Sequence, residues 1–416
     1  MKPSQDSYTN SLSRNHRWNA VVNTVDAVFF QIGFACFVPG VILVSYLRHF
    51  TQDQMVLNLP ILVSNFLMTL GPFVMSFFAS RFQTKKRAML VTAFLHRASF
   101  IPVVLVVWLY GDSPQVVTPF LLAFGLFYTC WGISTLFWQE MIGRVFAPDR
   151  INSAMGLRES VSRIAGFLAS FGVLTVLDTV AFPNNFVALF GAAFFLWMLS
   201  GLAMTQFREA QYVDAPPARD SSHWRNLWDL PKNDPGLRWY VVFILFAYGF
   251  NLVGGLYTVT GLQRFAAVGA DQLTGTINTV TVFASAVFAF LSGRVSDRFG
   301  KFWGFFLLCA ATLLLNVGMI FVTDYWAYLV LVLLSGVTYV MWVLELTTVL
   351  GFTTPEGRHE YLAFTSIVKL VPILVYTNLG GFLANTAGST CVFAVAAVFS
   401  AGALVVLTFG LRRYLK

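Results

Sequence analysis

Along its length the chain alternates long apolar stretches with short polar intervals. A helix of about 20 residues spans a hydrocarbon core of roughly 30 Å. Twelve stretches reach that length: residues 19–47, 56–79, 88–110, 118–141, 157–181, 184–205, 238–261, 273–293, 302–322, 327–350, 361–384 and 389–411. This pattern predicts an all-α membrane protein with twelve transmembrane helices. The first run is too long for the apolar core of a secretion signal, so it is expected to remain as the first span. One long polar interval, Gln206 to Gly236, separates six spans from six. It predicts an N-terminal segment 1–18, a six-helix bundle 19–205, a central linker 206–237, a second bundle 238–411 and a C-terminal segment 412–416. Within the linker, Ser221 and Ser222 precede Trp224, Leu227 and Trp228. A cap signal before an i, i+3, i+4 apolar stripe predicts a short helix lying in the membrane interface.

Composition supports lipid as the solvent. Of the 416 residues 57% are hydrophobic and 11% charged, against roughly 25% charged in soluble domains, and the mean hydropathy is +0.70. That balance argues against a soluble enzyme, a disordered scaffold or a nucleic-acid-binding domain. The net charge of +8 is largely topological. With both termini cytoplasmic, 22 of the 27 Lys and Arg residues fall on the cytoplasmic side; Arg48 and Arg264 fall opposite, and Arg97, Arg163 and Lys369 fall within spans. The positive-inside rule then predicts both termini in the cytoplasm, and the expected location is multi-pass in a bacterial inner (plasma) membrane. Cys36, Cys130, Cys309 and Cys391 lie within spans without disulfide or metal spacing, and they read as apolar packing residues. The chain has no G-x-x-x-x-G-K-[ST] phosphate loop, no H-E-x-x-H and no G-x-S-x-G. No metal, cofactor or enzyme activity is expected.

The two halves echo one another. Ser80-Arg81-Phe82-Gln83 after span two matches Asp297-Arg298-Phe299-Gly300 after span eight, and Pro148-Asp149-Arg150 after span four matches Pro355-Glu356-Gly357-Arg358 after span ten. Matches at equivalent loops, about half a chain length apart, point to an internal duplication. The segment Gly293-Arg294-Val295-Ser296-Asp297-Arg298-Phe299-Gly300-Lys301 resembles the G-x-x-x-D-R-x-G-R/K signature of the major facilitator superfamily (MFS). The first-half copy, Ser76 to Lys86, keeps Arg81 but has Ser80 for the acid and Gln83 for the glycine. The resemblance implies two pseudo-symmetric six-helix bundles and transport by alternating access, with Gly293, Asp297, Arg298, Gly300, Lys301 and Arg81 forming a cytoplasmic gate.

Ionisable groups inside spans point to mechanism. Each costs about 2.5–3.5 kcal/mol at a helix centre on insertion scales, so each requires a partner or a wet cavity. Asn19, Asn23 and Asp26 share one face of span one, and Gln31 lies further along. The resemblance places the first helix of each half at the cavity, which makes Asp26 a candidate for proton coupling or cation contact; pairing with Arg97 of span three is the alternative. Glu140 can meet Arg163, and Glu345 can meet Lys369, at equivalent places in the two halves. Glu159 reads as a solvated helix end. Gly33, Pro39 and Gly40 interrupt span one, and Gly249, Gly254 and Gly255 interrupt span seven. Helices broken at corresponding positions mark a transporter site, and Asn251 in span seven joins the candidate cavity residues Asn23, Asp26, Gln31, Glu345 and Lys369.

The expected function is therefore secondary active transport of a small organic solute, with protons as coupling ion, by a monomer in the lipid bilayer. Two other functions compete: a proton-driven multidrug exporter, and a transporter-like sensor or an assembly and delivery factor without flux. Span five has only Gly166 and Gly172 where drug antiporters usually carry Gly-Pro and Gly-Gly.

Overall fold

The structure, a computed structural model, describes residues 5–76, 85–146, 150–209, 229–339, 341–352 and 358–415. Arg81 and its loop, Pro148-Asp149, the interfacial helix expected at Ser221 to Trp228, and Pro355 to Gly357 lie outside the described residues. The side chain of Asp297 does too.

Among the described residues the regular structure is all helical. In lipid every backbone N–H and C=O must be satisfied within the protein, and helices of apolar residues do this within one segment. The helices are α1 Gln5–Ala35, α2 Val44–Arg48, α3 Gln54–Ser76, α4 Lys85–Ala98, α5 Ile101–Tyr110, α6 Val117–Val145, α7 Ile151–Thr179 and α8 Asn184–Met204. They are followed by α9 Pro235–Ala247, α10 Leu256–Arg264, α11 Ala270–Phe299, α12 Lys301–Phe321, α13 Tyr325–Ser335, α14 Met341–Gly351, α15 Arg358–Ala387 and α16 Ser389–Val405. Large apolar side chains such as Phe321, 75% exposed, and Phe409, 80% exposed, point away from the protein. That is the surface a hydrocarbon solvent selects.

Eleven described segments are long and apolar enough to cross a membrane, and Tyr325–Thr338 is a shorter apolar helix. The structure adds three details to the expected spans. The first helix begins at Gln5, ahead of the apolar run that starts near residue 19. Span three turns at Ser99-Phe100 between α4 and α5, with Pro102 in the first turn of α5, where its missing N–H carries no penalty. Span ten, expected as one helix over 327–350, is divided: α13 ends at Ser335, a 3-10 turn runs Gly336–Tyr339, and α14 begins at Met341. Gly336 lies against the backbone of Ala284 and Ser285, leaving no room for a Cβ.

Contacts divide the chain into two units, Met1–Val38 with Leu70–Arg219 and Pro39–Thr69 with Asp220–Lys416. The sequence boundary fell at the central linker; in the structure residues 39–69 pack with the second unit. The first switch of unit coincides with the interruption of span one, where α1 stops at Ala35 and a π-turn covers Pro39–Leu43 before α2. Polar contacts tie the segment to its new neighbours. Thr258 Oγ1 donates to the Gly40 carbonyl at 2.7 Å, Ser45 and Thr274 hydroxyls meet at 2.7 Å, and the Gly255 N–H donates to Asn58 Oδ1 at 3.0 Å. Asn385 joins its far end, accepting from the Gln54 N–H at 3.0 Å and donating to Asp53 at 2.6 Å.

The core of the first unit is aromatic. The Phe37 ring centroid lies 4.6 Å from that of Phe100 and 5.2 Å from that of Phe190, and the Trp197 ring stacks on Phe127 at 5.0 Å. The second unit buries Tyr240, Phe243, Phe305, Leu344 and Leu407 around α9, α12, α14 and the end of the last span.

Candidate functional site

Two constellations of buried polar groups stand out, one in each unit. In the first, Asp26 of α1 and Arg97 of α4 are each 3% exposed. Arg97 Nη2 lies 3.5 Å from Asp26 Oδ1, and the Ser200 hydroxyl of α8 donates to the same oxygen at 2.6 Å. The guanidinium also donates to the Trp197 carbonyl at 2.6 Å and the Ala93 carbonyl at 2.9 Å. Arg158 of α7 approaches the other Asp26 oxygen at 4.0 Å. Four helices thus hold the pair, and Asp26 is a neutralised, hydrogen-bonded carboxylate in the protein interior.

This network continues toward the start of α7. Arg158 Nη1 donates to Glu159 at 2.6 Å and its guanidinium lies 4.7 Å over the Trp138 ring, while Arg163 Nη2 stands 3.3 Å from Glu159 one turn on. Glu159, 26% exposed and expected from sequence as a solvated helix end, bridges two arginines of its own helix. Arg163, expected to meet Glu140 near the end of α6, stands within 3.3 Å of Glu159. Asn23 is fully buried and its amide contacts the Met155 sulfur at 3.8 Å. Asn19 joins helix ends, donating to the Arg208 carbonyl at 3.0 Å and accepting from the Arg208 N–H at 2.9 Å. Gln31 packs against Gly166 of α7. His96 is buried face to face with Trp131 at 5.3 Å, and its Nε2 has no hydrogen-bond partner among the described residues.

The second constellation surrounds an unwound stretch. Span seven is α9, a 3-10 turn Tyr248–Leu252, a turn through Gly255, and then α10. Gly254 adopts φ +51°, a left-handed conformation that glycine enters without steric penalty. Gly380 of α15 abuts the Leu252 carbonyl, so α15 runs directly against the unwound backbone. Tyr376, one turn earlier on α15, donates to the Leu245 carbonyl at 3.0 Å. Asn251 lies in the break, accepts from Asn65 at 3.1 Å and donates to the Tyr248 carbonyl at 3.0 Å. Beside it Glu345 of α14, 3% exposed, accepts from the Tyr248 hydroxyl at 3.1 Å and from Lys369 of α15 at 3.3 Å, all on Oε2. Its other oxygen, Oε1, is buried and has no hydrogen-bond partner among the described residues. Tyr248 was not singled out from sequence, where nothing distinguishes it from other span tyrosines.

At the gate motif, Gly293 and Asp297 fall in the last turns of α11, and Gly300 at φ +93° separates α11 from α12. Arg298 is exposed and lies over the Phe299 ring at 5.4 Å. Lys301 donates to the Thr347 carbonyl at 3.1 Å, placing a cation at the C-terminal end of α14. Among the described residues no cluster of three His, Cys, Asp or Glu side chains has metal-binding geometry.

Comparison with known proteins accords with this architecture. Residues 265–415 match the sequence profile of the Major Facilitator Superfamily. The D-xylose-proton symporter superposes with TM-score 0.69 at 10% identity, over 94% of this chain and 97% of its own. The E. coli fucose:proton symporter FucP gives 0.62 at 13%, over 94% and 98%, and the nucleoside transporter NupG gives 0.61 at 11%, over 95% and 98%. A curated relative, phosphoenolpyruvate carboxykinase (GTP) of Arthrobacter sp. (strain FB24), is 23% identical over 172 residues, which are 36% of this chain and 26% of that enzyme. The chain thus spans about a quarter of the length of that relative, at an identity that carries no function. Residues 265–415 thus resemble the Major Facilitator Superfamily in sequence, and the chain resembles these transporters in fold over nearly its whole length.

Proposed function

We propose that the protein is a secondary active transporter that moves a small polar organic solute by alternating access and couples that movement to protons at Glu345. The observation that carries this reading is the Glu345 cluster beside the broken span seven: a buried carboxylate, its bare oxygen, and a lysine and tyrosine sharing the other. While ionised, Glu345 binds Lys369. A proton on Glu345 removes the ion pair and frees the ammonium. Lys369 sits on α15, the same helix that abuts the unwound segment through Gly380 and Tyr376. The charge state of Glu345 therefore acts on the packing of α15 against the break, where a solute would compete for the Asn65–Asn251 amide pair.

Asp26 takes the other role. With Arg97, Ser200 and Arg158 around it, its charge is already balanced, and in this reading it holds the first unit together. Solutes rich in hydroxyl groups fit the amide and phenol donors of the second unit. The kinship in fold to sugar and nucleoside carriers favours solutes of that size. The protein acts as a monomer in the inner membrane with both termini cytoplasmic.

The test is reconstitution of the full chain in liposomes with labelled D-xylose, fucose and a nucleoside as solutes. The reading expects accumulation driven by an acid-outside gradient. Glu345→Gln should abolish accumulation yet leave exchange of solute down its own gradient. Accumulation by that variant equal to wild type sinks the coupling assignment. Absence of flux together with a stably co-purifying partner favours the sensor or assembly role instead.

A further inference from the structure

A groove of about 410 Å³ opens where the start of α9 meets the end of the chain, lined by Pro235, Arg238, Trp239, Val242 and Tyr414. It lies wholly within the second unit. Trp239 packs face-on against Gly410, where a side chain would collide with the indole, so the two spans close beneath the groove. Further along the same seam Phe246 meets Gly402 and Phe399. The groove is therefore the polar end of a closed helix seam flanked by exposed apolar residues: Val242 at 37%, Val405 at 55% and Phe409 at 80%.

Charge marks that end. Arg238 is exposed, and among the described residues its guanidinium has no hydrogen-bond or ion-pair partner. Arg412 and Arg413 are exposed beside Tyr414 and lie over the Phe302 and Tyr414 rings at 4.9 and 5.2 Å, and among the described residues neither has a carboxylate partner. Arg412 on Phe302 also brings the chain end to the start of α12. Asp234, next to Pro235 at the groove, is committed: it caps α9 through the Gly236 and Leu237 N–H groups at 2.8 and 3.1 Å and accepts from Tyr361 at 3.0 Å. The N-terminal N–H groups of α9 are thus already satisfied, and the free donors are guanidiniums.

We propose that this groove binds the headgroup of an anionic glycerophospholipid. Arg238 and Arg413 hold the phosphate, the Trp239 and Tyr414 rings sit at headgroup level, and the acyl chains lie on Val242, Val405 and Phe409. Unpaired guanidiniums, amphipathic aromatics and an apolar wall in that order along the membrane normal match the order of groups in such a lipid.

The test uses the full chain in phosphatidylcholine nanodiscs doped with a photoreactive phosphatidylglycerol, with cross-links mapped by peptide. The proposal expects labelling of the peptides carrying residues 235–242 and 405–415. Each guanidinium contributes a factor of roughly five in affinity for an anionic surface, so Arg238→Gln with Arg413→Gln should lower labelling there by about 25-fold. Arg238→Lys, which keeps the charge, should retain most of it and controls for misfolding. Equal labelling by a photoreactive phosphatidylcholine, or no change in the double variant, overturns the site. Full protection by excess inorganic phosphate or glycerol phosphate shows a soluble anion as the occupant and overturns the lipid assignment.

Discussion

Removing the carboxylate of Asp26 leaves the Arg97 guanidinium buried with neutral acceptors alone: the Trp197 and Ala93 carbonyls, the Ser200 hydroxyl and the Met204 sulfur. At an effective dielectric of about 20, unit charges 3.5 Å apart attract by about 5 kcal/mol. Part of that gain is offset by desolvation of both groups, and breaking one side of a buried pair typically costs about 3–5 kcal/mol. Asp26→Ala should therefore destabilise the protein by about that amount, whereas Asp26→Ala with Arg97→Met should recover most of it, since the double variant buries no charge. Equilibrium unfolding by dodecyl sulfate titration in mixed micelles measures all four corners of the cycle. Asp26→Asn, which keeps an acceptor for Ser200 and Arg97, should lose less stability and still accumulate solute per folded molecule. A single variant as stable as wild type, or an additive cycle, refutes the structural reading of the pair. So does an Asp26→Asn protein that is stable but loses gradient-driven accumulation.

Other substitutions test the remaining contacts. Gly380→Ala places a methyl group on the Leu252 carbonyl, a backbone atom that cannot rotate away; we expect a loss of about 1–3 kcal/mol in the same unfolding assay and faster hydrogen exchange over residues 248–255. Lys301→Ala removes the bond to the Thr347 carbonyl, so hydrogen exchange should speed up over the end of α14 while α13 is unchanged. His96→Phe replaces a buried ring bearing an unsatisfied nitrogen with an apolar one of similar shape inside the Trp131, Phe127 and Trp197 cluster; stability should hold or rise in thermal unfolding, with transport intact.

Hydropathy made the spans legible because lipid imposes length and apolarity on each helix independently of its neighbours. The interruptions of spans one and seven were also legible, since Pro39, Gly40, Gly254 and Gly255 carry backbone signals of their own. The expense of a charge in lipid pointed to Asp26 with Arg97 and Glu345 with Lys369 before any contact was known. Sequence could not supply the groups that complete these clusters. Ser200, the Trp197 carbonyl and Tyr248 have no pattern that separates them from ordinary span residues. The break in span ten was hidden because it depends on how closely Gly336 approaches Ala284. The packing of residues 39–69 with the second unit was hidden for the same reason: hydropathy reports which residues avoid water, not which helix they meet.

Gradient-driven accumulation in proteoliposomes, comparing wild type with Glu345→Gln, decides whether Glu345 couples solute movement to protons. Wild type should concentrate a solute when the outside is acidified, and the variant should only equilibrate it at a similar exchange rate. Accumulation by Glu345→Gln at the wild-type level, or wild-type flux indifferent to the pH gradient, would contradict it.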